Sequence, residues 1–375
     1  MWRTTSILVG IVLILVTLGV VMLASTSRVQ GQTQFDDPLF FLRRQVAWLI
    51  VAVIVAVIVS TLDYHAWRVL AVPLLLLSVA LLVLVLIPGI GRNVKGSSRW
   101  LWYGQPSELA KFAVITFLAW WMARFQRYAH DLKLGLLVPL GCLGVVLGLI
   151  FVEPDFGTTL LVAMVGMTVM FVGGTRIGYL VIASAVGLSA FALAIMQNAE
   201  RMRRITAFLN PDKYARDEAF QLLNAIYAFV VGGGYGVGLG QGLQKHFYLP
   251  EAHTDFIFAI IGEELGLCAS LLVVVLFLGL FVCGMRISLR APDQFGRLLG
   301  FGATLMITCQ AVINIGVVTG SLPTKGLPLP FISFGGSSLV VSMALIGLLV
   351  SISYRAGAAA ESEERRFIKD SAHRF

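Results

Sequence analysis

Apolar runs of near-membrane length alternate with short polar connectors along almost the whole chain. Ten such runs are read, at about 6–24, 45–62, 67–87, 106–123, 132–152, 156–172, 177–196, 256–284, 297–320 and 337–354. Each is close to the roughly 20 residues that a bilayer requires. Backbone groups cannot stay unpaired in hydrocarbon, so each run is expected to be a helix. The first run resembles a secretory signal, but its apolar core from Ile7 to Ala24 outlasts the roughly 7–15 residues of a signal core. It is read as an uncleaved first span. The expected fold class is an all-α polytopic membrane protein: a single ten-span domain over 1–355 with a large extracytoplasmic loop, 197–255, between spans 7 and 8. A short charged cytoplasmic tail, 356–375, is expected to follow without fixed structure.

Composition agrees. Of 375 residues, 58% are hydrophobic and only 13% charged, whereas soluble domains carry about 25% charged residues. The net charge of +8 finds its explanation in the positive-inside rule and in anionic lipid, not in nucleic acid. With the N-terminus inside, 14 Lys and Arg fall in inner loops and tails. Seven, Arg28, Arg43, Arg44, Arg92, Lys95, Arg99 and Lys325, fall in short outer loops. Both termini are therefore expected in the cytoplasm, and the outer cations invite a function. Cys142, Cys268, Cys283 and Cys309 lie in apolar runs without metal-type spacing and read as small hydrophobes.

The 197–255 loop carries its own pattern. Apolar residues at helical spacing over Tyr214–Val231 predict an amphipathic helix on the membrane surface. A glycine-dense stretch follows, Gly232-Gly233-Gly234-Tyr235-Gly236-Val237-Gly238-Leu239-Gly240. Its density fits equally a close approach to a ligand and a flexible hinge. No strand precedes it, so it is not a dinucleotide fingerprint. Beyond it, His253-Thr254-Asp255 leads into an apolar run in which Glu263 and Glu264 are expected to lie roughly 12 Å deeper than Asp255. Carboxylates at such depth are costly and mark function or pairing.

Two further clusters carry candidate chemistry. In Arg99 to Lys111, Glu108 and Lys111 are i,i+3 neighbours on the fourth run and able to pair. Lys111 is equally suited to hold a phosphate. In Asn314 to Ser338, three prolines and repeated glycines predict a rigid loop that dips toward the bundle, with Lys325 as its cation. There Ser333, beside Gly335-Gly336, offers donors to an anion. Glu153-Pro154-Asp155 reads as a tight turn in which Asp155 and Thr158 cap the sixth span. One carboxylate among several cations on one face suits a phosphorylated lipid substrate whose hydroxyl needs a base. A flippase for lipid-linked sugars is the alternative, and it requires polar groups through the whole depth of the bundle.

Five motifs, in order, resemble the SEDS family (shape, elongation, division and sporulation): Gln105-Pro106-Ser107-Glu108-Leu109-Ala110-Lys111, Glu153-Pro154-Asp155-Phe156-Gly157-Thr158, the Gly-Tyr-Gly-Val-Gly run, His253-Thr254-Asp255-Phe256 with Gly262-Glu263-Glu264-Leu265-Gly266, and Pro323-Thr324-Lys325-Gly326 through Pro330-Phe331-Ile332-Ser333. Within it the elongation branch is expected ahead of the division branch. The resemblance implies an inner-membrane peptidoglycan glycosyltransferase that polymerises lipid II, a disaccharide-pentapeptide on undecaprenyl pyrophosphate. It also implies a class B penicillin-binding protein as partner, and places the essential carboxylate at Asp255. Glu108, Lys111, Arg99, Lys325 and Ser333 are then substrate-binding candidates, with Lys111, Arg99 and Lys325 facing the pyrophosphate. A divalent cation, magnesium or manganese, is a possible further neutraliser of that group.

Overall fold

The computed structural model describes residues 2–94, 97–101, 104–215, 217, 219–245, 249, 252–323 and 326–372. Among these, thirteen α-helices account for nearly all regular structure. They are α1 (Trp2–Thr26), α2 (Arg28–Phe35), α3 (Phe40–Thr61), α4 (Ala66–Leu86), α5 (Pro106–Arg124), α6 (Val138–Val152, entered through a π turn at Lys133–Leu137), α7 (Phe156–Val172), α8 (Ile177–Met196), α9 (Ala199–Leu209), α10 (Phe220–Gly232), α11 (Ile257–Leu289), α12 (Gln294–Val318) and α13 (Gly336–Ala372). A hairpin absent from the sequence expectation, β1 (Arg92–Val94) and β2 (Ser97–Trp100), joins α4 to α5.

Eight helices among the described residues are long and apolar enough to cross a membrane. The chain is a multi-pass membrane protein. Two expected spans differ from these eight: α5, which carries Glu108, Lys111 and Arg124, and α7, with only 17 residues. Both lie inside the bundle. α5 is buried on every side and packs against α4, α7 and α12, so protein rather than lipid surrounds its charges. Gly302 of α12 allows the closest approach, since a Cβ there would lie 2.5 Å from Ile115 Cγ2. α8 is the opposite case: Leu180 is its one buried residue, as befits a helix whose apolar sides face lipid.

The 33 residues of α11 amount to about 50 Å, more than a bilayer needs. The excess is removed by a break at Gly266 (φ 76°, ψ −172°). Gly279 of the long part packs on Ile11 of α1, while Glu264, before the break, meets Ser25, one residue from the end of α1. The segment 257–265 is thus a separate short helix set off from the longer part after Gly266, and it carries the fully buried Glu263 and Glu264. α10 runs alongside this short helix, with Phe229 against Phe258 (5.6 Å between rings) and Gly232 against Gly262 and Glu263. Its stripe Leu222, Ala225, Ala228 and Gly232 is buried there. α13 continues as one helix through the charged tail to Ala372.

Both ends of the bundle are tied. At one, Tyr64 Oη and Arg68 bond Asp293, the N-cap of α12, and Arg355 pairs with Asp63 at 3.5 Å. The other end, where α1 and α12 finish and α3, α5 and α13 begin, holds the candidate site.

Candidate active site

Around Gly266, four backbone groups of α11 lose their helical partners. The glycine-rich stretch supplies replacements. Val237 and Gly238 donate to the Glu263 and Glu264 carbonyls (3.0 and 3.0 Å), and the N–H groups of Leu267 and Cys268 donate to Gly233 and Gly234 (2.9 and 3.2 Å). A Cβ on Gly236 (φ 82°) would lie 2.2 Å from the Glu264 carbonyl. The glycines therefore serve close approach, but to the protein's own helix, and they form neither a hinge nor a ligand cradle. The two carboxylates complete the clamp. Glu263 accepts from the N–H groups of Leu243 and Gln244 (2.7 and 3.2 Å). Glu264 accepts from Gly240 N–H (3.0 Å), Ser25 Oγ (2.7 Å) and the Lys245 ammonium (2.7 Å).

Asp255 precedes α11 by two residues and is half-buried. It faces a second irregular segment, 326–335. Pro328 and Pro330 have no N–H, so this segment presents carbonyls in excess and needs donors. They come from two amides one turn apart on α12. Gln310 Nε2 donates to the Pro328 carbonyl (2.8 Å). Asn314 Nδ2 donates to the Leu327 carbonyl (2.6 Å) and to the carbonyl of Asp255 itself (2.8 Å). Ser333 closes the other side: its hydroxyl accepts from Leu329 N–H (2.8 Å) and donates to the Thr254 carbonyl (2.5 Å). Phe334 N–H donates to the His253 carbonyl (3.0 Å). His253 packs against Phe41 and Phe334, a structural place. A Cβ on Gly326 would lie 2.7 Å from Asp255 Oδ2, so the carboxylate rests on bare backbone.

The other expected site residues are placed differently. Lys111 is buried, and its ammonium donates to Glu108 Oε1 (2.8 Å) and Gln310 Oε1 (2.9 Å). It reaches Asp255 only through Gln310, the 327–328 carbonyls and Asn314. Arg99 sends Nε and a terminal nitrogen to the Glu153 and Pro154 carbonyls (2.9 and 2.5 Å), which staples β2 to the turn after α6. Asp155 caps α7 as expected, accepting from Thr158 N–H (3.2 Å), and it also takes Gln105 Nε2 (3.0 Å). Ser333 spends its one O–H inside the protein. Lys325 and Lys95 lie outside the described residues. Among those described, no three His, Cys, Asp or Glu side chains gather into a metal site. A divalent ion at the pyrophosphate would be held mainly by the phosphates with one or two carboxylates, and Asp255 is the described carboxylate placed to be one of them. Gln310 and Asn314 are two amides at i,i+4 in an apolar run; Asn314 stands in the proline- and glycine-rich cluster without a role of its own in the sequence, and Gln310 is the residue that the motifs do not include.

This arrangement, with a carboxylate at the bundle end over a carbonyl-rich loop pinned by amides, sits on a multi-pass helical fold with known relatives. A family model described as cell cycle protein, covering FtsW, RodA and SpoVE, matches residues 5–357. The chain belongs to that family, the one its motifs resemble. A probable peptidoglycan glycosyltransferase FtsW from Trichlorobacter lovleyi is 42% identical over 351 residues, 92% of each chain. Stage V sporulation protein E from Bacillus subtilis is 40% identical, over 92% of this chain and 96% of that one. Among solved structures, rod shape determining protein RodA from Thermus thermophilus matches with TM-score 0.67 and 28% identity over 92% of this chain and 95% of that one. A structure described as showing coordination of polymerization and crosslinking by a peptidoglycan synthase complex matches with TM-score 0.75, 29% identity, and 93% and 97% coverage.

Proposed function

We propose that this protein is a peptidoglycan glycosyltransferase of the cytoplasmic membrane that polymerises lipid II at the outer face, with Asp255 as general base. The observation that carries this reading is Asp255 itself, a half-buried carboxylate resting on Gly326 while its own carbonyl is held by Asn314. Asp255 takes the proton of the acceptor sugar 4-hydroxyl as that oxygen attacks the anomeric carbon of the donor. The anomeric C–O bond breaks and the pyrophosphate leaves with its lipid. One displacement inverts the α-linked donor to a β-linked product. Ten spans, both termini inside and the site outside belong to the same reading.

Glu108 and Lys111 act here as a positioning pair, because Lys111 orients Gln310 and Gln310 holds the loop. Lys325, next in the chain to Gly326, is assigned to the leaving pyrophosphate. The relatives at 40–42% identity carry division and sporulation names, and RodA matches at 28%. That weighs for septal or spore wall synthesis over elongation. A class B penicillin-binding protein as partner belongs to the same reading, and the match to a synthase complex that coordinates polymerization and crosslinking supports it. Against a flippase, the buried carboxylates, lysines and histidine among the described residues, Glu108, Lys111, Glu153, Asp155, Lys245, His253, Glu263 and Glu264, belong to elements or connections that begin or finish at the site end. The test is lipid II turnover by purified protein. Asp255→Asn is expected to lose about 10²–10⁴ in rate with unchanged thermal stability. Near wild-type turnover would overturn the assignment.

A further inference from the structure

The excess of outer cations noted in the sequence has a structural counterpart. At the site end, the start of α3 and strand β1 enclose an open cleft of about 580 Å³ lined by Asp37, Phe40, Arg43, Arg44 and Arg92. Three guanidinium groups and one carboxylate line it, and Asp37 pairs with Arg43 (3.1 Å). Arg43, Arg44 and Arg92 are all exposed, in contrast to the buried Lys111. Guanidinium forks are the side chains best shaped to take phosphate oxygens in pairs. The cleft also has an apolar flank: Phe40 stacks on Phe35 at 3.9 Å, and Phe35 and Leu39 are exposed at 49% and 42%. An amphipathic ligand with a phosphorylated head and a lipid tail matches both walls.

The start of α3 also packs on the two segments that flank Asp255. Phe41, next to Phe40, packs on His253 and Phe334 (4.8 and 5.3 Å between rings), and Gln45, next to Arg44, bonds the Ser333 carbonyl (3.3 Å) and Gly335 N–H (3.3 Å). We infer that this cleft binds the diphosphate of a lipid-linked sugar, namely the substrate whose own diphosphate is not broken. This rests on the proposed function. Polymerisation joins two lipid-linked sugars, one diphosphate leaves beside Asp255, and the other stays attached a disaccharide away, where it needs cations of its own.

The probe is a polyprenyl diphosphate without sugar, titrated onto the full chain in phosphatidylcholine nanodiscs, with inorganic pyrophosphate and phosphatidylglycerol as competitors. Arg44→Gln with Arg92→Gln is expected to weaken binding about tenfold or more, the scale of one lost charge-assisted hydrogen bond. Asp37→Asn keeps the oxygen that accepts Leu39 N–H (2.9 Å) and removes the opposing charge, so it is expected to strengthen binding. The readout is binding and needs no turnover, which separates this inference from the choice of base. Equal affinity in the arginine variant and in Asp37→Asn would overturn the inference. Displacement by phosphatidylglycerol as effective as by the diphosphate would assign the cleft to bilayer lipid instead and overturn it equally.

Discussion

The two irregular segments at the site end solve opposite problems with opposite side chains. The glycine stretch 233–245 turns N–H groups toward side-chain acceptors, the Glu263 and Glu264 carboxylates, while its backbone exchanges bonds in both directions with α11. Segment 326–335 has lost N–H groups to proline and turns carbonyls toward side-chain donors, Gln310 and Asn314, while the Ser333 hydroxyl accepts from Leu329 N–H within it and donates to the Thr254 carbonyl outside it. The clamp chemistry follows from which half of the peptide group each loop must bury. It also sorts the acidic residues. Glu263 and Glu264 hold backbone N–H groups, whereas Asp255 sits against a loop that offers carbonyls, and its own carbonyl is held by Asn314.

The comparison is broken most severely by removing a charge from the acceptor clamp. Glu264→Ala strands Lys245, whose side chain is 5% exposed. The expected cost is about 3–5 kcal/mol, the range for breaking a buried pair from one side. Adding Lys245→Met is expected to recover most of it. Thermal unfolding of the single and double variants in detergent measures both, and a single variant as stable as the parent contradicts the clamp.

How much of this was legible beforehand follows the same physics. Apolar runs revealed the helices because burial in lipid leaves a composition signal many residues long. The Asp155 cap and the Glu108–Lys111 pair were readable because their partners are three residues away. The break at Gly266 was hidden inside a continuous apolar run, because one glycine interrupts the helix without changing the composition around it. Gln310 and Asn314 find their partners 13 to 59 residues away, a distance that no local pattern reports. Arg99 shows the limit from the other side: its charge was visible, but not that its donors go to the carbonyls of residues 153 and 154.

The donor clamp is expected to be less costly to break in stability and more costly in function. Asn314→Leu leaves the Leu327 and Asp255 carbonyls without their amide. The expected loss is about 1–3 kcal/mol for the unsatisfied groups, and lipid II turnover is expected to fall by more than that loss explains, since the backbone of Asp255 is released. Turnover and melting temperature on the same preparation separate the two effects. Unchanged turnover in a destabilised variant would detach the loop from the placement of the base.

Glu153 completes the comparison as a carboxylate that no clamp serves. It is 1% exposed, and neither oxygen has a hydrogen-bond partner among the described residues, because Arg99 bonds its carbonyl and not its side chain. Burial first, and then the nearby Asp155 charge, push its carboxyl up to about 8 in the turn between α6 and α7, with Arg99 opposing. The folded chain therefore binds more protons than the unfolded one between the ordinary value of 4.5 and about 8. The contribution is fully present below the lower value and is lost as pH rises through the upper one. The slope is at most about 1.4 kcal/mol per pH unit. Melting temperatures across that window are expected to decline with rising pH in the parent and to flatten in Glu153→Gln, which stays neutral throughout. Parallel curves would mean that the buried carboxyl finds a donor after all, and that it belongs with Glu263 and Glu264 rather than apart from them.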